Sequence, residues 1–413
     1  MQQKTTVVSM GKNQFIGKIK SSTLARTCNP CHYHARITNP REQGVKLKNQ
    51  PSWCFNQLCI LVMFFSLFTG CKEKKEIIAE REYTFRKEKA VDLSESDFFA
   101  NKTIIPLATC ENSLIHRNPN VKKAGENLFI YHSGLAYLIL RFDTNGNFIN
   151  QIGSIGNGPN EFTAINDIII NEEKSVVEVL ADNSIFSFSF DGTPIKSERL
   201  AIDGVWTFTF ANDYYWFYTG NNTEYSTHRL VQTDKEFNII NGYLSDKSNM
   251  LPMMEYNFKQ SPYHTFRETF YYNMYSIQGD SLSLLHTIKF PDMKFPSDIH
   301  NLPPMEVVQT LRNSHYATIL CYLENDNFIY FLISEHDSNA PATIYHWIIN
   351  KKSNQEKIIK IDLIEGSYLM YPQLLTDDNL LYFLGYPIEN KNEETDPDEN
   401  PSVIIINISE NFM

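Results

Sequence analysis

Between residue 137 and the C-terminus one unit recurs six times: an apolar strand, a short turn rich in Asp, Asn and Gly, and a second apolar strand. The copies read 137–142, 143–146 and 147–149; 185–190, 191–192 and 194–200; 228–233, 234–236 and 237–243; 270–277, 278–280 and 282–288; 344–349, 350–354 and 357–363; and finally 403–408 followed by 409–411, where the chain stops. From Asp143 to Asp191 is 48 residues, to Asp234 a further 43, and to Gly279 a further 45; the steps to Lys351 and Ser409 are 72 and 58, which leaves room for insertions. A four-stranded propeller blade takes about 40–50 residues, and a ring holds about 4–8 of them. The spacing therefore predicts an all-β, six-bladed β-propeller of four-stranded antiparallel blades over residues 101–413. The sixth copy lacks the strand after its turn. A ring closes without an open edge when one blade mixes strands from both chain ends, and Thr103–Leu107 is the expected partner of Val403–Ile408. Pro106 is tolerable there, because an outermost strand has one free edge.

Composition agrees. Of 413 residues 42% are hydrophobic and 13% aromatic, with 28 Phe and 22 Tyr, which suits half-buried pleated surfaces. Helical periodicity is scarce; Leu302–Asn313, after Pro303-Pro304, is the one expected helix. Charge is unevenly spread, +8 over residues 1–70 and −19 over 71–413. An acidic body of that size repels phosphate backbones, so nucleic acid is not an expected partner.

The N-terminal seventy residues follow different rules. Leu58–Gly70 is a thirteen-residue apolar run, preceded by Lys46 and Lys48. A spanning helix needs about 20 such residues, so the run suits the core of a signal peptide, residues 45–70. It ends in Leu67-Phe68-Thr69-Gly70-Cys71, which resembles a bacterial lipobox, although Phe68 stands where Leu is commoner. The expectation is acylation of Cys71 and anchorage to a membrane, each buried methylene contributing about 0.8 kcal/mol. Residues 71–100, which open with Lys72-Glu73-Lys74-Lys75-Glu76, read as a charged tether. Residues 1–44 fit no part of a signal peptide and are expected to be absent from the mature protein, with a non-AUG start at Val45 or Leu47. Cys28-Asn29-Pro30-Cys31-His32 has the spacing of c-type haem attachment, but it lies upstream of the cleavage site, and no cofactor is expected. Four of seven Cys precede Cys71. Cys110 and Cys321, the two that follow it, read as buried small hydrophobes without a disulfide, and no metal-type spacing remains.

Phe142-Asp143-x-x-Gly146-x-Phe148-Ile149-x-x-Ile152-Gly153-x-x-Gly156-x-Gly158-Pro159-x-Glu161-Phe162, preceded by Ile105-Pro106-Leu107-Ala108-Thr109 and Ser113-Leu114-Ile115, resembles the six-bladed β-propeller lipoproteins of Bacteroidota, relatives in shape of NHL and TolB propellers. The resemblance is strong over 101–192 and only a matter of pattern beyond. It implies fold and a place in the bacterial cell envelope, on the outer membrane, rather than an activity. Ala108 stands where that family usually has Glu, so no role of that acid carries over. Gly146 supplies the positive φ of a tight turn. Gly156, Gly158 and Pro159 shape a crossing between blades. Glu161 is expected to cap backbone N–H groups of that crossing; the alternative is a ligand group at the channel mouth.

Propellers hold ligands at the mouth of the channel, on loops free to vary. The expected function is a non-catalytic binding module for a protein or glycan, with Tyr214-Tyr215-Trp216 and Tyr271-Tyr272 as candidate contacts. The alternative is a propeller enzyme of lactonase, lyase or glycosidase type. That chemistry needs carboxylates, or His with acids, converging on one site. Lone histidines such as His116, His132, His264, His286 and His346 make no HxH or HExxH cluster, so neither catalytic nor metal residues are assigned. The acidic stretch Glu389–Asn400 is incomplete as a calcium loop and reads as a solvated hairpin insertion.

Overall fold

Every strand–turn–strand copy places an Asp, Asn or Gly where the chain must reverse, and the backbone shows why. In the first three turns Asp143, Asp191 and Asp234 fold their carboxylates onto the turn's own amides. Asp143 Oδ1 accepts from the N–H groups of Asn145 and Asn147 at 2.9 and 2.8 Å. Asp191 accepts from Thr193, and Asp234 from Glu236 and Asn238. Side-chain bonds from Asn147, Ser189 and Asn238 first, and these amide bonds after them, hold all three carboxyls below the usual range. Gly146 and Gly192 take φ of +85° and +91°, where a Cβ is strained.

The computed structural model describes residues 81–92, 96, 98, 101–116, 118–134, 138–220, 226–245, 257–361, 368–387 and 399–409. These form six sheets in a ring. Blade 1 is Asn120–Ala124, Asn127–Tyr131, Ile139–Asp143 and Phe148–Ile152. Blade 2 runs from Ile165 to Arg199 and blade 3 from Thr207 to Tyr243, each again four antiparallel strands. Blade 4 holds Thr265–Arg267, Asn273–Gln278 and Ser281–Lys289. Blade 5 spans Tyr316 to Ile361, and blade 6 holds Tyr368–Leu375, Leu380–Pro387 and Ser402–Asn407.

The ring closes as its two ends require. Lys102–Pro106 pairs antiparallel with Ser402–Asn407, with Thr103 opposite Ile405, Ile104 opposite Ile404 and Ile105 opposite Val403. Leu107, Val121, Leu128 and Phe142 of the chain's beginning then share a buried cluster with Leu374, Leu384 and Val403 of its end. Five further clusters fill the other inter-blade seams, so the core is a ring of six interfaces rather than one centre.

The segment expected to be tether is, from Arg81 onward, part of the propeller. Arg81–Thr84 adds to blade 4 as an outer strand, parallel to Ser281–Lys289, and Val91–Asp92 adds to blade 5 in parallel beside Glu356–Ile361. Between and after them Phe85 and Phe98, 1% and 0% exposed, are inserted into the seams between blades 4 and 5 and between blades 5 and 6. Burying a Phe contributes about 1.5–3 kcal/mol, enough to order a chain whose neighbours are Lys and Glu. Those neighbours make surface ion pairs, Lys87–Glu335 at 2.8 Å and Lys89–Glu356 at 2.5 Å. The expected signal peptide, Cys71, residues 1–44 and residues 389–398 of the acidic stretch lie outside the described residues.

Two local features remain. The helix is Pro304–Arg312, within the expected span, and belongs to an insertion after blade 4 that explains the 72-residue step. Cys321 is buried, but Cys110 is exposed, in a turn whose Ser113 hydroxyl accepts the Cys110 N–H.

Candidate functional site

Inner strands of a propeller run along the channel, and five of the six blades place regular ones there. The chain entering blade 4 does something else. Asn257–Gln260 is extended and leaves the ring: Phe258 bridges antiparallel to Phe266 of its own blade, while Gln260 bridges parallel to Leu374 of blade 6. Gln260 also holds blade 1, donating from Nε2 to Lys123 O at 2.7 Å and accepting the Lys123 N–H at 2.8 Å. Leu375 N–H donates to Gln260 O at 3.1 Å, and Thr265 Oγ1 donates to Tyr322 O of blade 5 at 3.3 Å. A segment touching blades 1, 4 and 6 at once crosses the channel like a plug.

Above this plug opens a cavity of about 1000 Å³. Its floor is Phe258–Pro262, and its walls are the inner-strand ends and turns of blades 1, 2, 3 and 6, including Lys122, Asn171, Glu172, Phe210 and Asp377. One arm runs outward between blades 2 and 3, past Glu178, Tyr215 and Lys235 to Ile195 and Lys196 on the outer strand of blade 2. Inner to outer strand of one blade is about 14 Å at the usual strand spacing, so the cavity is a trough rather than a pit.

Six lysines line it and no arginine does: Lys122, Lys123, Lys174, Lys196, Lys235 and Lys259. Lys235 pairs with Asp213 at 2.7 Å and lies 5.9 Å from the Phe210 ring centre. Lys122 Nζ donates to Phe258 O at 3.4 Å and Lys259 Nζ to Asn120 Oδ1 at 3.4 Å. Desolvation first, then the neighbouring charges of Lys122 and Arg267, push the Lys259 ammonium down to about 8; Cys321 and Asp167 act the other way. Glu178 accepts from Tyr215 Oη at 2.8 Å; burial raises its carboxyl pKa, against the opposing effects of that bond and of Lys196 and Lys174. Burial likewise lowers His264 at the trough's edge.

The residues singled out from sequence are dispersed. Glu161 accepts the Gly158 N–H at 2.8 Å, and a Cβ on Gly156 would collide with its carboxylate, so it sits inside its own loop and does not line the cavity. Tyr214-Tyr215-Trp216 is not a loop but the second strand of blade 3, with Trp216 fully buried; only Tyr215 reaches the trough. Tyr271 lies between Arg229 and His300, and Tyr272 stacks on Phe295. His286 binds Glu324 at 2.8 Å, His346 meets Tyr330 Oη at 2.6 Å, and His116 packs against His132. Among the described residues no three of His, Cys, Asp or Glu converge as a metal site. The lysines and the plug were missed, yet Lys122-Lys123 inside an inner strand was a visible irregularity.

A six-bladed propeller with a plugged channel and a lysine-lined trough at one mouth is the class that fold and site define. The chain belongs to the family described as a domain of unknown function, DUF4934, whose model matches residues 81–411. That match begins at the parallel outer strand of blade 4. No curated protein matches the chain. Among solved structures it is similar to one from Bacteroides fragilis NCTC 9343 whose description calls it an exported protein, at 14% identity and TM-score 0.63, covering 79% of this chain and 98% of that one. It is also similar to a member of the DUF4221 family from Bacteroides vulgatus, at 12% identity and TM-score 0.50, covering 74% and 96%. At such identities the likeness is one of fold.

Proposed function

We propose that this chain is a cell-envelope lipoprotein, exported and acylated at Cys71, whose propeller is a non-catalytic module that binds a protein or glycan partner in the trough. The observation that carries the binding role is the trough itself: an open, ligand-sized concavity with mixed polar and aromatic walls on a rigid ring. The apolar run ending at Cys71 and the neighbour of like fold whose description calls it an exported protein support the envelope location. Labelled palmitate fed to expressing cells tests the anchor. Label should enter the protein and disappear in Cys71→Ala; an unlabelled chain that retains residues 1–70 refutes it. Glycan-array and pull-down profiles of the wild type and of Thr209→Trp, which fills the trough, test the seat; identical profiles refute it.

One observation favours a catalytic second reading. Glu178 stands in the trough with a raised carboxyl pKa and a Tyr215 hydroxyl on it, the environment of a general acid in lactonase, lyase or glycosidase chemistry. Turnover of an oligosaccharide or lactone panel, abolished in Glu178→Gln, supports it; the absence of turnover across the panel returns Glu178 to a binding role.

A further inference from the structure

The trough's lining has a charge pattern that narrows its ligand. Residues 71–413 carry net −19, yet six lysines line this one concavity, two of them in surface ion pairs, Lys196 with Glu198 and Lys235 with Asp213. Lys122 and Lys123 form no ion pair among the described residues: Lys122 Nζ reaches Phe258 O, and Lys123 Nζ reaches Gly125 O at 2.8 Å. Acids are interspersed, Glu172, Glu173, Glu178, Asp213 and Asp377, with Asn171 and Gln260 between. A compact dianion such as phosphate gains from the lysines but meets five carboxyls, and the site offers it neither an arginine fork nor a helix N-terminus. Hydroxyls both donate and accept, so a ligand rich in them satisfies acids, amides and lysines alike. Phe210, half-buried, supplies flat apolar surface along the same path, backed by the buried rings of Tyr215 and Phe258. The trough's length, from the axial plug to the outer strand of blade 2, suits a linear oligomer rather than a single ring.

We infer that the trough binds an acidic oligosaccharide, a short uronate-bearing chain whose carboxylates meet Lys122, Lys123 and Lys235 and whose hydroxyls meet the intervening acids and amides. This rests on the trough being the binding seat. An acidic peptide fits less well: it sets its carboxylates against Glu172, Glu173 and Asp377 without hydroxyls to bridge them.

Titration calorimetry on the full chain in detergent tests it. The probes are tetramers of galacturonate, glucuronate and mannuronate, their methyl esters, inorganic phosphate, and tetraglutamate. At least one uronate tetramer should bind, and its methyl ester should bind about tenfold more weakly, the loss of a charge-assisted contact. Lys122→Gln and Lys235→Gln should each weaken the acid but not the ester, while Phe210→Ala weakens both. Equal binding of acid and ester, lost in Phe210→Ala, overturns the charge assignment and leaves the seat standing. Uronate binding untouched by all three variants puts the ligand elsewhere and overturns both. Tetraglutamate or phosphate binding in place of the uronates, or no uronate binding at about 1 mM, overturns the inference alone. Circular dichroism of each variant, matching the wild type, excludes misfolding as the cause of a loss.

Discussion

Truncating Phe85 separates a strand from a tether. Phe85 is 1% exposed and sits in an aromatic cluster, with ring centres 5.6 Å from Phe290, 5.3 Å from Tyr345 and 5.4 Å from Trp347. Phe85→Ala removes the buried ring and leaves a cavity walled by blades 4 and 5. Such changes cost about 3–5 kcal/mol, and edge-to-face pairs like these place it in the upper half of that range. For a folded body of about 330 residues the unfolding entropy is about 0.7 kcal/mol/K, so the melting temperature should fall by roughly 6–7 °C. The control is Lys87→Ala, two residues on, which loses only the ion pair to Glu335. Lys87 is 43% exposed, and such a pair is worth about 1 kcal/mol or less, a shift of about 1 °C. Thermal unfolding followed by circular dichroism reads both. If Phe85→Ala shifts the midpoint no more than Lys87→Ala does, residues 81–92 hang on the rim rather than belong to it, and the reasoning fails.

Arg229→Met should cost about 3–5 kcal/mol in urea unfolding, because it strands the 1%-exposed Glu268 that Arg229 binds through Nε at 2.6 Å and Nη2 at 3.1 Å; Arg229→Met with Glu268→Leu should recover much of the loss, and failure to recover refutes a buried-charge origin. Burial holds His132 down to about 4 and His346 down to about 3. Depressed bases favour the folded state fully above their unfolded pKa of about 6.5. Stability should therefore fall as pH drops from about 6.5 toward 4, less steeply in His346→Gln; a flat urea midpoint over that window counts against it. Gly146→Ala puts a Cβ at φ +85° against the Pro106 carbonyl; amide exchange at Val403–Ile406 should quicken more than elsewhere, and uniform or unchanged exchange would separate the turn from ring closure.

The ring was legible because its signals are local. An Asp that caps its own turn, as Asp143 does, or a Gly at positive φ needs only neighbours within four residues, and such neighbours are adjacent letters. The same turns also serve as joints between blades: a Cβ at Gly192 would press on Gln151 O, and Asp280 O accepts from Gln232 and Tyr243 of the preceding blade. Closure was legible for a complementary reason, a strand missing at one end and spare at the other. Arg81–Asp92 was not, because its two strands are short, parallel and exposed at the edge, and one Phe per seam does the holding. Its Lys and Glu composition is that of a solvated linker, and nothing local separates the two.

The trough lay further out of reach, since it is assembled from five places in the chain brought together only by the ring. One trace of it was nevertheless on the page. An inner strand packs on both sides against neighbouring blades, so its residues should be apolar or paired; Val121 and Ala124 obey this and are buried, whereas Lys122 and Lys123 between them do not. Two adjacent lysines point to opposite sides of a strand, so at least one charge in that pair cannot be a surface residue of an ordinary blade. Given the six-blade register, that conflict already places charge inside the ring. A buried or half-buried ammonium held mainly by backbone carbonyls costs folding energy, and a site that tolerates such a cost is where a ligand of opposite charge gains most by arriving.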